Sequence, residues 1–281
     1  MIFQFDITFD KPIRVLHNDG LSTNHMANFP PLKHYILYCI DQMIRQYHLE
    51  PPFLDVGCGI GDVSAHLAEK GWSGKAIDIS APAIELATTQ LRKFPSVELK
   101  KQSLFEERRT YKTIIALDIL EHLEDDETAI QKISDLLDPD GHLIVAVPSN
   151  PKEWRWDDDY VEHKRRYTEA TMTAKFKKSS LNSVVFWDFT FPVFWLMRRM
   201  YTSIRKAPPK SETSNHEKIE ISGIVKMWHF PIISDLLSKK SFLWDLVYRW
   251  QFRQFKNRPD LGHEMIVLAQ KNGTFKNSSL L

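Results

Sequence analysis

FLDVGCGIGD, residues 53–62, is the stretch that decides the fold. An apolar run with the character of a buried strand carries Asp55, three glycines follow at positions 57, 59 and 61, and Asp62 opens a helical run. A strand that turns on glycines into a helix is a binding loop of an α/β protein, because glycine lets the backbone approach a ligand closely. A dinucleotide loop wants G-x-G-x-x-G, with the pyrophosphate at the helix N-terminus. Here the glycines alternate and an acid stands next, where it would repel a pyrophosphate. A cofactor with a cationic amino-acid end and no phosphate suits this loop better, and S-adenosylmethionine (SAM) carries both an ammonium and a sulfonium.

Outward from the loop, periodicity predicts an alternating chain. Residues 31–48 have apolar positions at helical spacing and stop at Pro51-Pro52. Strands are expected at 53–56, 74–79, 96–101, 112–117 and 142–147, with helices at 61–70, 82–93 and 126–137. A helix at 168–178 and strands at 182–190 and 263–271 continue the pattern. Strands separated by helices imply right-handed crossovers and a mostly parallel sheet covered on both faces. Residues 191–260 break the alternation with Phe194, Trp195, Trp228, Phe230, Phe242, Trp244, Trp250, Phe252 and Phe255 around the polar stretch 205–218, which reads as a flexible linker. The expected organisation is an N-terminal lid or helix segment at 1–50, a core at 51–190, an aromatic-rich helical insertion or cap at 191–260, and a final strand and tail at 261–281.

Composition narrows the function. A chain of 281 residues with 43% hydrophobic and 26% charged residues can bury one good core. A net charge of +1 gives no global field to gather nucleic acid. Two cysteines, Cys39 and Cys58, are too few for a disulfide framework. The start, MIFQFDITFDKPIR, lacks the basic opening and apolar centre of a signal peptide, and no apolar run is long enough to span a bilayer, so a cytoplasmic protein is expected.

The run Asp55-Val56-Gly57-Cys58-Gly59-Ile60-Gly61 resembles the D-x-G-x-G-x-G motif of class I SAM-dependent methyltransferases, and later stretches agree with that family in order and spacing. KAIDIS (75–80) resembles its second strand, KKQSLFEE (100–107) and IIALDILEHLEDD (114–126) its third and fourth, and DGHLIVAVPSNP (140–151) its fifth. The resemblance covers about residues 30–190 and the last strand, and includes bacterial enzymes of envelope-glycan and lipid biosynthesis and the quinone O-methyltransferase-like group. It implies a Rossmann-like sheet of seven strands. It also implies a cofactor site of Asp55, Gly57, Cys58, Gly59, Gly61, Asp78, Ile79, Ser103, Leu104, Asp118 and Ile119. In it Asp78 holds the ribose hydroxyls, residues 102–104 lie near the adenine and residues 118–120 under the methionine. Ser103 stands where many relatives place an acid for the adenine amine.

The segment after the fifth strand, WRWDDDYVEHKRRYT (154–168), falls beyond the carboxyl ends of the strands, where open α/β sheets bind ligands. Trp154, Trp156, Arg165, Arg166 and Tyr167 are the candidate acceptor contacts, with arginine forks suited to phosphate or carboxylate. Pairing of these arginines with residues 157–159 is the structural alternative. Methyl transfer needs in-line positioning, and a base only where the acceptor is a hydroxyl or a protonated amine. His163 is the candidate base, with Asp118 and His122 in reserve. Asp118, Glu121, His122 and His163 also resemble the metal cluster of small-RNA 3'-end and some quinone-ring methyltransferases, although no metal is expected.

The expected activity is methyl transfer to a small or lipid- or glycan-linked acceptor, at oxygen. Its competitors are a nicotinamide oxidoreductase, a silent SAM-binding partner subunit and a metal-assisted RNA 3'-end methyltransferase. Aromatics beside Arg198, Arg199, Arg205 and Lys206 suit an anionic membrane interface, a cap or a homodimer contact.

Overall fold

The computed structural model describes residues 31–206 and 242–273. The first thirty residues, most of the 205–218 linker, Trp228, Phe230 and the C-terminal tail lie outside the described residues. Strand β1 (Phe53–Val56) is buried at all four positions, as a central parallel strand covered on both faces must be. Helix α2 (Asp62–Glu69), β2 (Gly74–Asp78), α3 (Ala81–Leu91), β3 (Val97–Lys101) and β4 (Tyr111–Leu117) follow. Then come α4 (Asp126–Asp135), β5 (Leu137–Pro148), a short helix α5 (Trp156–Tyr160), α6 (Glu169–Lys178) and β6 (Leu181–Asp188). Helix α7 (Val193–Ile204), helix α8 (Phe242–Phe255) and β7 (Glu264–Lys271) complete the described chain, which α1 (Pro31–Tyr47) begins.

The seven strands form one sheet in the order β3-β2-β1-β4-β5-β7-β6. All neighbours are parallel except β7, which runs antiparallel to both β5 and β6. The chain leaves β1 toward β2 on one side and later returns to β4 on the other. The crevice at that reversal, outside the carboxyl ends of β1 and β4, is where such sheets bind ligands.

Two cores sandwich the sheet, and period two sorts the strand residues between them. Ile144 and Ala146 of β5 face the core built by α1, α2, α3, α7 and α8, whereas Leu143, Val145 and Val147 face the one built by α4 and α6. Helix α1 is wholly part of the first core: Tyr35, Cys39, Ile40 and Met43 lie on one helical face and are fully buried. The aromatics of α7 and α8 close this side. Tyr248 stacks on Tyr35 at 4.9 Å, Phe194 stacks on Trp244 at 5.8 Å, and the Tyr248 hydroxyl donates to the Pro31 carbonyl. The opposite faces of these helices leave Leu196, Met200, Ile204, Leu243, Leu246 and Trp250 exposed.

The strands and helices fall close to their sequence-based bounds. The clearest difference is β5, which starts at Leu137 instead of residue 142 because Leu137 pairs with Tyr111 ahead of a register shift.

Candidate active site

Gly57, Gly59 and Gly61 all have positive φ, at 66°, 53° and 84°. Such angles are cheap only for glycine. At Gly57 space is limiting as well, since a Cβ would stand 2.1 Å from Ile119 Cδ1. The loop is tied to the end of β2 through Asp78: one carboxylate oxygen accepts the Gly59 N–H at 2.9 Å and the other the Ser80 N–H at 2.8 Å. Ser80 then caps α3 by accepting from Ala83 N–H, with proline in the first turn. Asp55 is buried and accepts a 2.6 Å hydrogen bond from Ser64. Burial pushes its carboxyl up to about 6, against the pull of that hydroxyl. Cys58 is buried in the same loop, which pushes its thiol far above the ordinary thiol range.

Asp62 is compensated inside the protein. It pairs with Lys33 of α1 and accepts from Gln90 of α3, besides sitting in the favourable first turn of α2. The charge that sequence reading set against a pyrophosphate is therefore already engaged.

Beyond β3, Gln102 is buried and accepts from Lys75, whose ammonium also meets Glu107. This pairing, with the Arg108 and Arg109 amides, holds the Glu107 carboxyl down at about 2 despite burial. Ser103 spends both polar groups locally. Its hydroxyl accepts from Phe105 N–H and its own N–H meets Glu106, a reciprocal cap on the turn Leu104–Glu106. Leu104 is buried, whereas Ile79 is 53% exposed beside Asp78 and offers an apolar surface there.

Titratable groups cluster beyond the carboxyl end of β4. Asp118 has φ 54° and is open to solvent, yet the surrounding protein pushes its carboxyl up to about 6, with His163 pulling the other way. Ile119 follows, and the turn Leu120–His122 places Glu121 fully buried with no hydrogen bond to either oxygen among the described residues. Burial and the Asp118 charge hold the Glu121 carboxyl far above its ordinary range. His122 is pushed down to about 4 by burial and by His163. Glu264, the first residue of β7, is pushed up to about 8 by burial and Asp118.

His163 lies over this group. Its ring meets His122 edge-on at 4.9 Å, its Nε2 is 3.9 Å from Glu121, and its Nδ1 is 2.9 Å from Asp158. Donor atoms of Glu121, His122 and His163 lie within 4.8 Å of one another. One carboxylate and two imidazoles with unspent atoms are a donor set that fits a divalent transition ion.

The remaining acceptor-segment residues are mostly engaged. Tyr167 is buried and donates to Asp126, which also pairs with Arg165. Arg166 is buried, donating to Asp158 and to the Ser149 and His263 carbonyls. Trp156 donates to the Thr202 carbonyl, and Trp154, 39% exposed, to Asp159. Arg166 and Tyr167 thus have internal partners in place of the acceptor contact that the sequence suggested. Arg165 also takes protein partners. Two residues that sequence reading did not single out join the site: Asp158, read only as a partner for arginines, and Glu264, which reaches it through the pairing of Pro148 with Glu264.

Residues 33–184, more than half of the chain, match the family model described as Methyltransferase domain. Among curated relatives, the ubiquinone biosynthesis O-methyltransferase of Rickettsia canadensis is 29% identical over 132 residues, covering 42% of this chain and 56% of that protein. An uncharacterized methyltransferase of Mycobacterium bovis is 32% identical over 100 residues, covering 35% and 51%. The chain spans about half the length of the curated relatives it matches. Two solved structures share the fold: the 4+2 cyclase SpnF, with TM-score 0.54, 16% identity and coverage of 84% and 81%, and the N-methyltransferase NodS of Bradyrhizobium japonicum with S-adenosyl-L-homocysteine, with TM-score 0.50, 13% identity and coverage of 86% and 88%. Glycine loop, strand order and family match together make the chain a member of the class I SAM-dependent methyltransferases.

Proposed function

We propose that the protein methylates a hydroxyl group of a small or lipid-linked acceptor, with His163 as the base. When bound, SAM supplies an electrophilic methyl group, and the acceptor oxygen attacks it in line. His163 Nε2 takes the hydroxyl proton as the new O–CH3 bond forms and the S–CH3 bond breaks, leaving S-adenosylhomocysteine. The observation that carries this reading is the imidazole packed against the turn that follows β4, its Nδ1 held by Asp158 and its Nε2 turned toward Glu121. An N-nucleophile that arrives unprotonated would need no such group. The relatives named as ubiquinone biosynthesis O-methyltransferases support oxygen as the acceptor atom. The exposed apolar side chains of α7 and α8, beside Arg249 and Arg253, support a lipid-linked acceptor.

The test is formation of S-adenosylhomocysteine with a panel of 3,4-dihydroxybenzoate, its prenylated analogue and a matched aromatic amine. Turnover of the hydroxylated compounds, lowered about 100-fold or more by His163→Ala with SAM affinity unchanged, is expected. An unchanged rate removes His163 from the chemistry. A second reading uses the same imidazole differently: Glu121, His122 and His163 would hold a divalent cation, which supplies Lewis acidity at the acceptor oxygen. Activity that survives exhaustive chelation supports the base, and activity lost to chelation and restored by a divalent metal supports the cation.

A further inference from the structure

Asp158 accepts from four donors on one buried carboxylate. Oδ1 takes His163 Nδ1 at 2.9 Å and Arg166 at 2.7 Å, while Oδ2 takes Arg198 of α7 at 2.8 Å and the Arg155 backbone N–H at 2.8 Å. Both oxygens are saturated, so the group can neither rotate nor shift without breaking a charge-assisted bond. Arg198 is itself buried and fixed by both oxygens of Asp157 and by the Glu153 carbonyl. Against its burial, the hydrogen bond from His163 and then the charges of Arg166 and Arg198 hold the Asp158 carboxyl well below the ordinary carboxylate range. An ionised carboxylate only accepts, so the His163 nitrogen facing it carries the hydrogen.

The backbone is arranged to the same end. Glu162 has φ 60°, an unusual angle for a residue with a side chain, and it turns the chain so that the His163 N–H also donates to the Asp158 carbonyl at 2.9 Å. On its other sides the ring meets His122 and Glu121.

We infer that Asp158 is the positioning residue of the site: clamped between Arg166 and Arg198, it fixes His163 in the Nδ1–H tautomer and turns a bare Nε2 toward the Asp118–Glu121 end of the crevice. The clamp makes α7 part of the catalytic apparatus, although none of its own side chains needs to touch the acceptor. This rests on the assignment of His163 as base. A base must present a bare Nε2, and what separates this role from loop stability is that the effect of Asp158 on rate passes through His163.

The test begins with 15N-histidine NMR of the wild-type protein, with the His163 signals identified by their loss in His163→Ala. A protonated Nδ1 and a bare Nε2 are expected, and a protonated Nε2 at neutral pH overturns the inference whatever any variant does. Asp158→Asn is expected to shift this pattern toward Nε2–H. Its rate of methyl transfer to 3,4-dihydroxybenzoate should fall about 100-fold with the KM for SAM unchanged, and Asp158→Glu should recover part of it. In a His163→Ala background the same substitution should cost nothing further, since Asp158 acts through the imidazole. An equal loss in both backgrounds overturns the positioning role. A His163→Ala protein as fast as the wild type defeats the base assignment instead, so the two failures are distinct. If Asp158→Asn does not fold, Asp158→Glu is compared in the wild-type and His163→Ala backgrounds instead, with the same two outcomes.

Discussion

Gly57 and Asp78 carry the firmest residue-level expectations, because geometry alone fixes them. A side chain at Gly57 meets both a left-handed backbone and Ile119. Gly57→Val should therefore abolish SAM binding in calorimetry, and micromolar binding by a folded variant would contradict the loop assignment. Asp78 accepts two backbone N–H groups, so Asp78→Ala would loosen the glycine loop and the cap of α3 together. Such a change mixes cofactor and scaffold effects, as Gly57→Val does through Ile119 and the left-handed backbone, so both are read only in variants shown to fold. Tyr167 makes the complementary point for the acceptor segment. Its hydroxyl is buried against Asp126, so Tyr167→Phe should destabilise the protein by about 1–3 kcal/mol in urea unfolding and leave the KM for the acceptor unchanged. A raised KM without loss of stability would return Tyr167 to the acceptor.

At the scale of elements, the loop 154–168, the candidate acceptor segment, is anchored to α7 at several points. Arg198 and Arg199 reach back to Asp157, Asp158 and Glu153, Arg155 donates to Thr202, and Trp156 donates to the Thr202 carbonyl. Removing one partner of a buried ion pair strands the other charge, so Arg198→Met should cost about 3–5 kcal/mol in urea unfolding. A loss within about 0.5 kcal/mol would mean that the cluster relaxes toward water. These clamps explain what the sequence could and could not show. The parallel core was legible because apolar runs, glycine turns and helical periods are local signals, and β1 to β4 follow them closely. The arginine motif was legible as chemistry but ambiguous in direction. Arg166 finds Asp158 eight residues away, while Arg198 finds it forty residues away on a helix that periodicity assigns only to an insertion. Glu264 was hidden for the same reason: an antiparallel register brings β7 beside β5, and no local pattern gives that register.

For the whole molecule, the crowding of acids predicts a pH dependence whose sign is set by burial. Asp55 is raised to about 6, Asp188 to about 7 and Glu264 to about 8, all above the ordinary values near 4. The folded protein therefore binds protons more tightly at these sites than the unfolded chain. Their stabilisation is complete below about pH 4 and is lost as pH rises through 6 to 8. Glu107 works in the opposite sense: held at about 2, it stabilises above its unfolded value and loses that contribution only as pH falls toward 2. Histidines that burial holds low, His122 and His263, oppose this below about pH 6.5, so without ligand the unfolding free energy in urea should decline between about pH 6.5 and pH 8, and Glu264→Gln should flatten that decline. SAM brings positive charge to a crevice whose carboxyls resist ionising, so its binding should favour their charged forms and release protons. Calorimetry in buffers of different ionisation enthalpy should then show proton release near pH 6.5, and greater stabilisation by SAM at about pH 8 than at pH 5.5. Proton uptake on binding would mean that the sulfonium is not held beside Asp118 and Glu264.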